Sequence, residues 1–411
     1  MKNNQNVLIF LLAAISFTHI LDFVIMMPLG PQLMRIFDIG PSAFAWIVSS
    51  YTFSAGLFGF LGAYLLDRFD RKNALLVLYL GFLAGTLGCA FAQTHFILIV
   101  ARVVAGAFGG MLAALIFSVI GDAFPESQRG RATGFVMSSF SVASVVGIPI
   151  GLWAAGHWGW HSPFLGIGCL GLIFAAIAWR VMPSMTGHFQ HKSSGKLTPI
   201  SLIVRTLRSP NELWAIALNF LLVFSGFSLI PYISTFLVSN VGMPEHNLSW
   251  VYLWGGALTF FSSPIIGRLS DRFGKRRMFI IVGLLALIPI LALPLMPRLP
   301  MGLMLIVTTL FFILVSGRFV PAMAMITSSV TADRRGSFMS IATAVQQLGS
   351  GIGASVAGVM IVRGSGGELH HYGWVGVMSA LVTLLSIVVA LQVKLVNPHV
   401  PQRPTEGEAG Q

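Results

Sequence analysis

The sequence predicts an all-α membrane protein of about twelve transmembrane helices, arranged as two pseudo-symmetric six-helix bundles. Three observations carry that prediction. Of 411 residues, 55% are hydrophobic and only 9% are charged, and the mean hydropathy is +0.84. A soluble domain needs more charge than this to cover its surface. Apolar runs of about 20 residues recur along the whole chain, each long enough to cross about 30 Å of hydrocarbon. A short charged segment also occurs twice, once in each half. Backbone groups in lipid must pair internally, so repeated long apolar runs imply helices rather than open sheets.

Taken in order, the spans are predicted at 7–29, 43–65, 74–93, 95–121, 132–155 and 162–183, then at 212–238, 247–268, 278–297, 301–328, 337–362 and 372–394. The first run, from Val7 to about Pro28, is too long for a signal-peptide core and has no small-residue cleavage site, so it reads as a retained span. Between the two sets lies a polar stretch with His188, His191, Lys192, Lys196, Arg205 and Arg208. Residues 1–183 are therefore expected to form an N-terminal bundle, 184–211 a cytoplasmic linker and 212–396 a C-terminal bundle. The tail 397–411, rich in Pro, Gly and Glu, is expected to be disordered. Cys89 and Cys169 fall inside spans and are expected to pack rather than to pair.

The net charge of +12 does not indicate nucleic acid, because the bases sit in short loops between apolar runs. They report orientation instead. With Val7 starting inside, the outside loops hold only Arg35, Arg298 and Arg363, and Arg102 and Arg318 lie within spans. The other 20 bases are then inside, which places both termini and the linker in the cytoplasm of a cell with this protein in its inner membrane.

The repeated segment follows the second span of each half. The first copy reads Ala63-Tyr-Leu-Leu-Asp67-Arg68-Phe69-Asp70-Arg71-Lys72, and the second Gly267-Arg-Leu-Ser-Asp271-Arg272-Phe273-Gly274-Lys275-Arg276. A weaker echo pairs Arg129-Gly130 with Arg335-Gly336. Parallel halves with a solute site between them at the membrane midplane fit this repeat. An acid beside bases at a helix end makes Asp67, Arg68, Arg71, Asp271 and Arg272 candidates for a latch between the halves, with Asp67 able to meet the helix start near Gly336. Simple topology, bases flanking a span, explains the same residues. Gly147, Pro149 and Gly151 permit a bend where helices pack closely. Gly106 with Gly110, and Gly349 with Gly353, give small-xxx-small packing faces.

These segments resemble the major facilitator superfamily. The second loop copy is similar to its G-x-L-a-D-r-x-G-r-K signature at Gly267, Leu269, Asp271, Arg272, Gly274 and Lys275; the first departs at Ala63 and Asp70. Arg102-Val-Val-Ala-Gly106-Ala-Phe-Gly109-Gly110 resembles the span-4 motif R-x-x-x-G-x-x-G/A-A. Gly147-Ile-Pro149-Ile-Gly151 followed by Gly159-Trp160-His161-Ser-Pro-Phe164 resembles twelve-span drug/proton antiporters and arabinose-efflux-permease-like exporters, with His161 where those carry Arg. The resemblance implies a central cavity lined by spans 1, 4, 7 and 10, and a span-1 acid working with the span-4 Arg.

Ionisable groups within spans are costly and are candidates for function. They are His19, Asp22, Arg102 and Arg318, and Asp22 is the one acid well inside. At 1.5 Å per residue, Asp22 lies about 22 Å from the inner face and about 8 Å from the outer. Arg102 lies about 9 Å from the outer face by the same rise, in the same layer. His19 is three residues before Asp22 and shares its helix face. An acid that loses and regains such a partner would bind and release a proton; a static ion pair between spans 1 and 4 remains the plainer reading. Arg318, about 24 Å from the outer face, has three options: an anionic solute group, a carbonyl helix end, or the inner headgroups. Asn219, Gln346 and Gln347 complete the polar candidates for a substrate cavity. Phe, Met and Trp among the spans suit an amphipathic solute.

No phosphate-binding loop, metal-ligand spacing or serine-triad context appears. The expectation is a non-enzyme without cofactors: a monomeric proton-coupled antiporter exporting a drug, sugar or metabolite. An importing symporter or facilitator is the alternative within the class, and a non-transporting sensor or scaffold the alternative outside it.

Overall fold

The computed structural model describes residues 2–66, 69–183, 199–331 and 334–396; Asp67, Arg68, most of the predicted linker and the predicted tail lie outside them. Among the described residues there are twelve long helical passes. The first six are α1 (Lys2–Ile25), α2 (Pro41–Leu65), α3 (Arg71–Ala90), α4 (His95–Ala123), α5 and α6 (Ser162–Val181). α5 joins Glu126–Val142 to Ile148–Trp158 through a π-helical turn at Ala143–Gly147. The second six are α7, α8 (Leu248–Phe273), α9 (Lys275–Ala292), α10, α11 (Arg335–Met360) and α12 (Tyr372–Gln392). α7 runs Pro210–Leu229, passes a 3₁₀ turn at Ile230–Tyr232 and continues as Ile233–Ser239. α10 is Met301–Gly317 and Phe319–Thr327, parted at Arg318. Short helices at Gly30–Ile36 and Pro199–Leu207 lie between passes. A two-stranded hairpin pairs Val362 with His370 and Arg363 with Leu369, a small exception to the all-α expectation.

By length and composition alone, nine helices among the described residues can cross a membrane. The other three long helices are α8, α9 and α11, at the predicted spans 247–268, 278–297 and 337–362. α8 and α9 take in the bases and acid of the second loop signature, and α11 is diluted by Gly, Ser and Gln.

The two loop copies turn differently, which explains where they depart from each other. Gly274 sits at φ +96°, a conformation that favours glycine. Asp70 turns at φ −56° and its carboxylate accepts from the backbone N–H of Lys72 at 3.4 Å, capping α3. The first copy therefore has no need of glycine at that place.

Small residues set the helix spacing. A Cβ on Gly106 or Gly110 would collide with the backbone carbonyls of Tyr51 and Ala55 on α2. Gly349 and Gly353 do the same for α11 against Phe220 and Phe224 of α7. Two seams cross between the halves. α2 meets α11 where Gly351 lies against Thr52 and Phe53, and α5 meets α8 where Gly256 lies against Ser144. The bend at Gly147, Pro149 and Gly151 takes the form of the π-helical turn. Proline lacks an N–H and its ring crowds the carbonyl four residues back, so an extra residue in the turn relieves both. Gly147 and Gly151 then admit Leu21 and Ile25 of α1, whose side chains a Cβ would strike at 2.7 and 2.8 Å. Cys89 and Cys169 are both free.

Gly106→Ala forces α4 off a backbone carbonyl and should lower stability by about 2 kcal/mol. Gly130→Ala, with nothing within 4 Å, should be neutral or slightly stabilising. Thermal unfolding of the two purified variants in detergent checks the contrast.

Candidate functional site

α1 carries two fully buried polar side chains, Thr18 and Asp22. Thr18 bonds Tyr79 of α3 at 2.9 Å. Asp22 receives Arg102 of α4: Nη1 donates to Oδ2 at 2.7 Å and to the Asp22 carbonyl at 3.3 Å. Both residues are 0% exposed. By strict hydrogen-bond geometry the pair is incompletely satisfied: Asp22 Oδ1 and Arg102 Nε and Nη2 have no partner among the described residues, although Thr86 stands beside the Asp22 carboxylate and Cys89 beside Arg102.

The Arg102 guanidinium also lies over the ring of Tyr51, 4.3 Å from its centroid, a cation–π contact. Tyr51 Oη meets His19 Nε2 at 2.9 Å, so the surroundings of Arg102 and His19 are joined through one phenol. Sequence reading missed Tyr51, although its position on the small, hydroxyl-rich stretch of span 2 marks it as polar in an apolar helix. The spacing of Arg102, Gly106 and Gly109 has a direct use here. Gly106 lets α4 approach the Tyr51 backbone, and a Cβ at Gly109 would stand 2.8 Å from Tyr51 Oη and 2.9 Å from His19 Nε2. Glycine at both places holds open the space in which arginine, tyrosine and histidine meet.

The remaining cavity candidates do not join this cluster. Arg318 is 0% exposed and stays between α7, α10 and α12, so it does not snorkel, and among the described residues its guanidinium bonds hydroxyls rather than a carbonyl helix end. Its Nη1 donates to Thr383 Oγ1 at 2.7 Å and its Nη2 to Ser225 Oγ at 3.1 Å. The hydroxyl of Thr383 passes on to the carbonyl of Ser379 at 2.8 Å, so the charge is spread over hydroxyl dipoles. No carboxylate pairs with Arg318 among the described residues. Asn219 is likewise buried, and its amide donates to Ala342 O at 2.7 Å, tying α7 to α11. Neither side chain lines an open cavity. Gln346 and Gln347 are half-buried on α11, with Gln347 at the seam opposite Gly56 of α2. Open cavities lie elsewhere, one of about 610 Å³ bounded by Phe37, Phe91, Trp158 and Trp160, another of about 720 Å³ by Trp214, Phe220 and Leu385.

The latch candidates are redistributed. Asp67 and Arg68 lie outside the described residues. Arg71 does not reach across the halves through its described acid partner: Nε donates to Asp122 at the end of α4 at 2.8 Å. Its counterpart Lys275 donates to Ser328 after α10 at 2.9 Å, the same clamp in the second half. Asp271 is exposed with no ion pair among the described residues, and Arg272 lies 5.4 Å over the ring of Phe273. The ion pairs seen to cross the halves among the described residues, Arg35–Glu245 and Arg363–Asp38, are at the predicted outer ends. Arg35 pairs with Glu245 at 2.5 Å, and Arg363 with Asp38 at 3.3 Å. Arg363 also donates to Ile39 O at 3.2 Å, and Tyr232 to Pro41 O at 3.3 Å.

Removing one partner of a buried pair leaves the other charge desolvated and unpaired. Asp22→Ala should therefore cost about 3–5 kcal/mol, and adding Arg102→Met should recover much of it. Thermal melts of the two single variants and the double variant give the coupling; independent, additive losses would contradict a mutual pair.

The Major Facilitator Superfamily profile matches residues 12–244 and 218–411. The MFS-type transporter YwfA of Bacillus subtilis is 27% identical over 378 residues, spanning 90% of this chain and 87% of that protein. Multidrug resistance protein 3 of the same organism is 33% identical over 141 residues, 33% of this chain and 28% of that one. Among solved structures, a bacterial homologue of the human lysosomal transporter Spinster, inward-facing and occupied, matches with a TM-score of 0.76. It shares 14% identity and is covered over 97% of its length by 96% of this chain, a likeness of fold. With a family match across both halves and the same helical architecture, this chain belongs to the Major Facilitator Superfamily and is a multi-pass membrane transporter of the secondary type, not an enzyme.

Proposed function

We propose that this transporter is a proton-coupled antiporter that exports a small amphipathic solute. The observation that supports it is the fully buried, incompletely satisfied pair of Asp22 and Arg102. A carboxylate held by a guanidinium stays ionised; parted from it in an apolar interior, the carboxylate takes up a proton. A rearrangement within the first half that parts α1 from α4 as the transporter rocks would thus load Asp22, and re-pairing would release the proton on the other side. Export rather than import is supported by the span-5 pattern, and by the partial likeness to a protein named for multidrug resistance. The positive-inside distribution supports both termini in the cytoplasm.

Proteoliposomes with an imposed pH gradient test this reading with a panel of fluorescent amphipathic solutes. Proton-driven flux is expected against the proton movement. Asp22→Asn should reduce it to the level of empty vesicles while leaving solute exchange without a gradient. Undiminished proton-driven flux in that variant would remove Asp22 from the mechanism, and flux in the same direction as the protons would replace export by import.

The outer ion pairs bear on the same cycle, since an outward-open state must break them. Exposed pairs are worth about 0.2–1 kcal/mol each, so Arg35→Glu should raise the outward-open population roughly 1.5- to 5-fold. The swap Arg35→Glu with Glu245→Arg should restore it. Pulsed dipolar distances between spin labels at positions 36 and 246 read the populations.

A further inference from the structure

The short helix Pro199–Leu207, just ahead of α7, has a pattern that the bundle does not use. Thr206 faces protein and is 3% exposed. Ile203, Val204 and Leu207 fall together one turn apart and remain 40%, 40% and 59% exposed. Arg205 and Arg208, three residues apart, share a different, exposed stripe. The helical turn reaches Arg208, whose N–H bonds Val204 O at 3.1 Å. The helix thus has one face toward protein, one apolar face without protein cover among the described residues, and one basic face.

Its position says what covers the apolar face. Ser209 links it directly to Pro210, the first residue of α7, and Ser209 O accepts from Leu213 N at 3.1 Å within that span. A segment tied so closely to the end of a membrane-crossing helix lies at the boundary between hydrocarbon and water. An apolar stripe flanked by arginine is the composition that lies in that plane, apolar side chains in the acyl boundary and bases among phosphates. The helix also packs on α7 and α11. The starts of those two helices are joined by Glu212 and Arg334 at 2.6 Å, with the glutamate 2% exposed.

We infer that Pro199–Leu207 is an interfacial helix that binds anionic phospholipid, with Ile203, Val204 and Leu207 in the bilayer and Arg205 and Arg208 on the headgroup phosphates. The occupant is lipid rather than a protein, because the bilayer surface is already present where the helix lies and complements both its apolar and its basic stripe. This site holds the start of α7, and through Glu212 and Arg334 the start of α11, to the membrane surface. It stands independently of what the transporter carries and in which direction.

The test uses the full chain in vesicles of phosphatidylcholine, with and without phosphatidylglycerol. An environment-sensitive fluorophore is placed at Leu207→Cys, or at Arg205→Cys, each in a Cys169→Ser background. Lipids bearing a nitroxide high on the acyl chain should quench the label at 207, and an aqueous quencher should act on the label at 205. Phosphatidylglycerol retained on the purified protein, read by native mass spectrometry, should weaken roughly fivefold for each arginine replaced in Arg205→Gln and Arg208→Gln. Aqueous quenching at both positions overturns the interfacial placement. Equal retention by the arginine variants, with size-exclusion profiles unchanged, overturns anionic recognition. Capture of a protein by the labelled face in place of lipid quenching overturns the choice of occupant.

Discussion

The constraint on which this structure rests is that no backbone group inside the hydrocarbon can be left without a partner. Unbroken helices meet it automatically. The informative places are those where a helix breaks. At the 3₁₀ turn of α7, Pro231 brings no N–H, and the Leu229 carbonyl accepts from Tyr372 Oη at 3.0 Å. Tyr232, in the same turn, donates to Ala354 O at 2.9 Å. In the π-helical turn of α5, Ser144 Oγ donates to Phe140 O at 2.9 Å, and in the helix just before it Ser139 Oγ donates to Ala13 O of α1 at 2.8 Å. The turn of α7 is thus buried and tied to α11 and α12 by tyrosines, whereas the π-helical turn of α5 keeps Ala143 and Gly147 buried and turns Val146 outward.

The same accounting separates the two halves chemically. In the first, the interior acid and base cancel and are framed by Tyr51 and His19. In the second, Arg318 is met by hydroxyls of Ser225 and Thr383. The halves keep a common clamp, Arg71 to the end of α4 and Lys275 to the residues after α10, while their interiors have diverged. One half thus buries an acid–base pair, and the other buries an arginine held by hydroxyls.

Much of this was legible in the chain itself. Apolar run length dictates helices, and a repeated Asp-Arg-Phe loop dictates two copies of a unit. Helical rise alone brings Asp22 and Arg102 to one depth, and the structure has them in contact. Depth arithmetic has no angular content, however. It could not say that Arg318 and Asn219 turn into their bundle rather than toward a cavity, because that depends on helix rotation set by packing. For the bases at the loop signature, sequence leaves a link between halves and simple topology both open; Arg71 bonds Asp122 on its own half, a contact that depends on where the two helix ends lie. The crossing pairs Arg35–Glu245 and Arg363–Asp38 join residues more than two hundred positions apart and carry no local motif.

The hydroxyl setting of Arg318 has an electrical consequence. Its positive charge sits within the span Met301–Thr327 with no carboxylate beside it among the described residues. A charge crossing the full membrane field does work of about 2.3 kcal/mol per 100 mV, and partial displacement a matching fraction. The neutral pair of Asp22 and Arg102 moves through that field without work as long as it stays paired. Motion of the second half along the membrane normal is therefore coupled to the membrane voltage through Arg318, and the Asp22–Arg102 pair couples the first half when it parts.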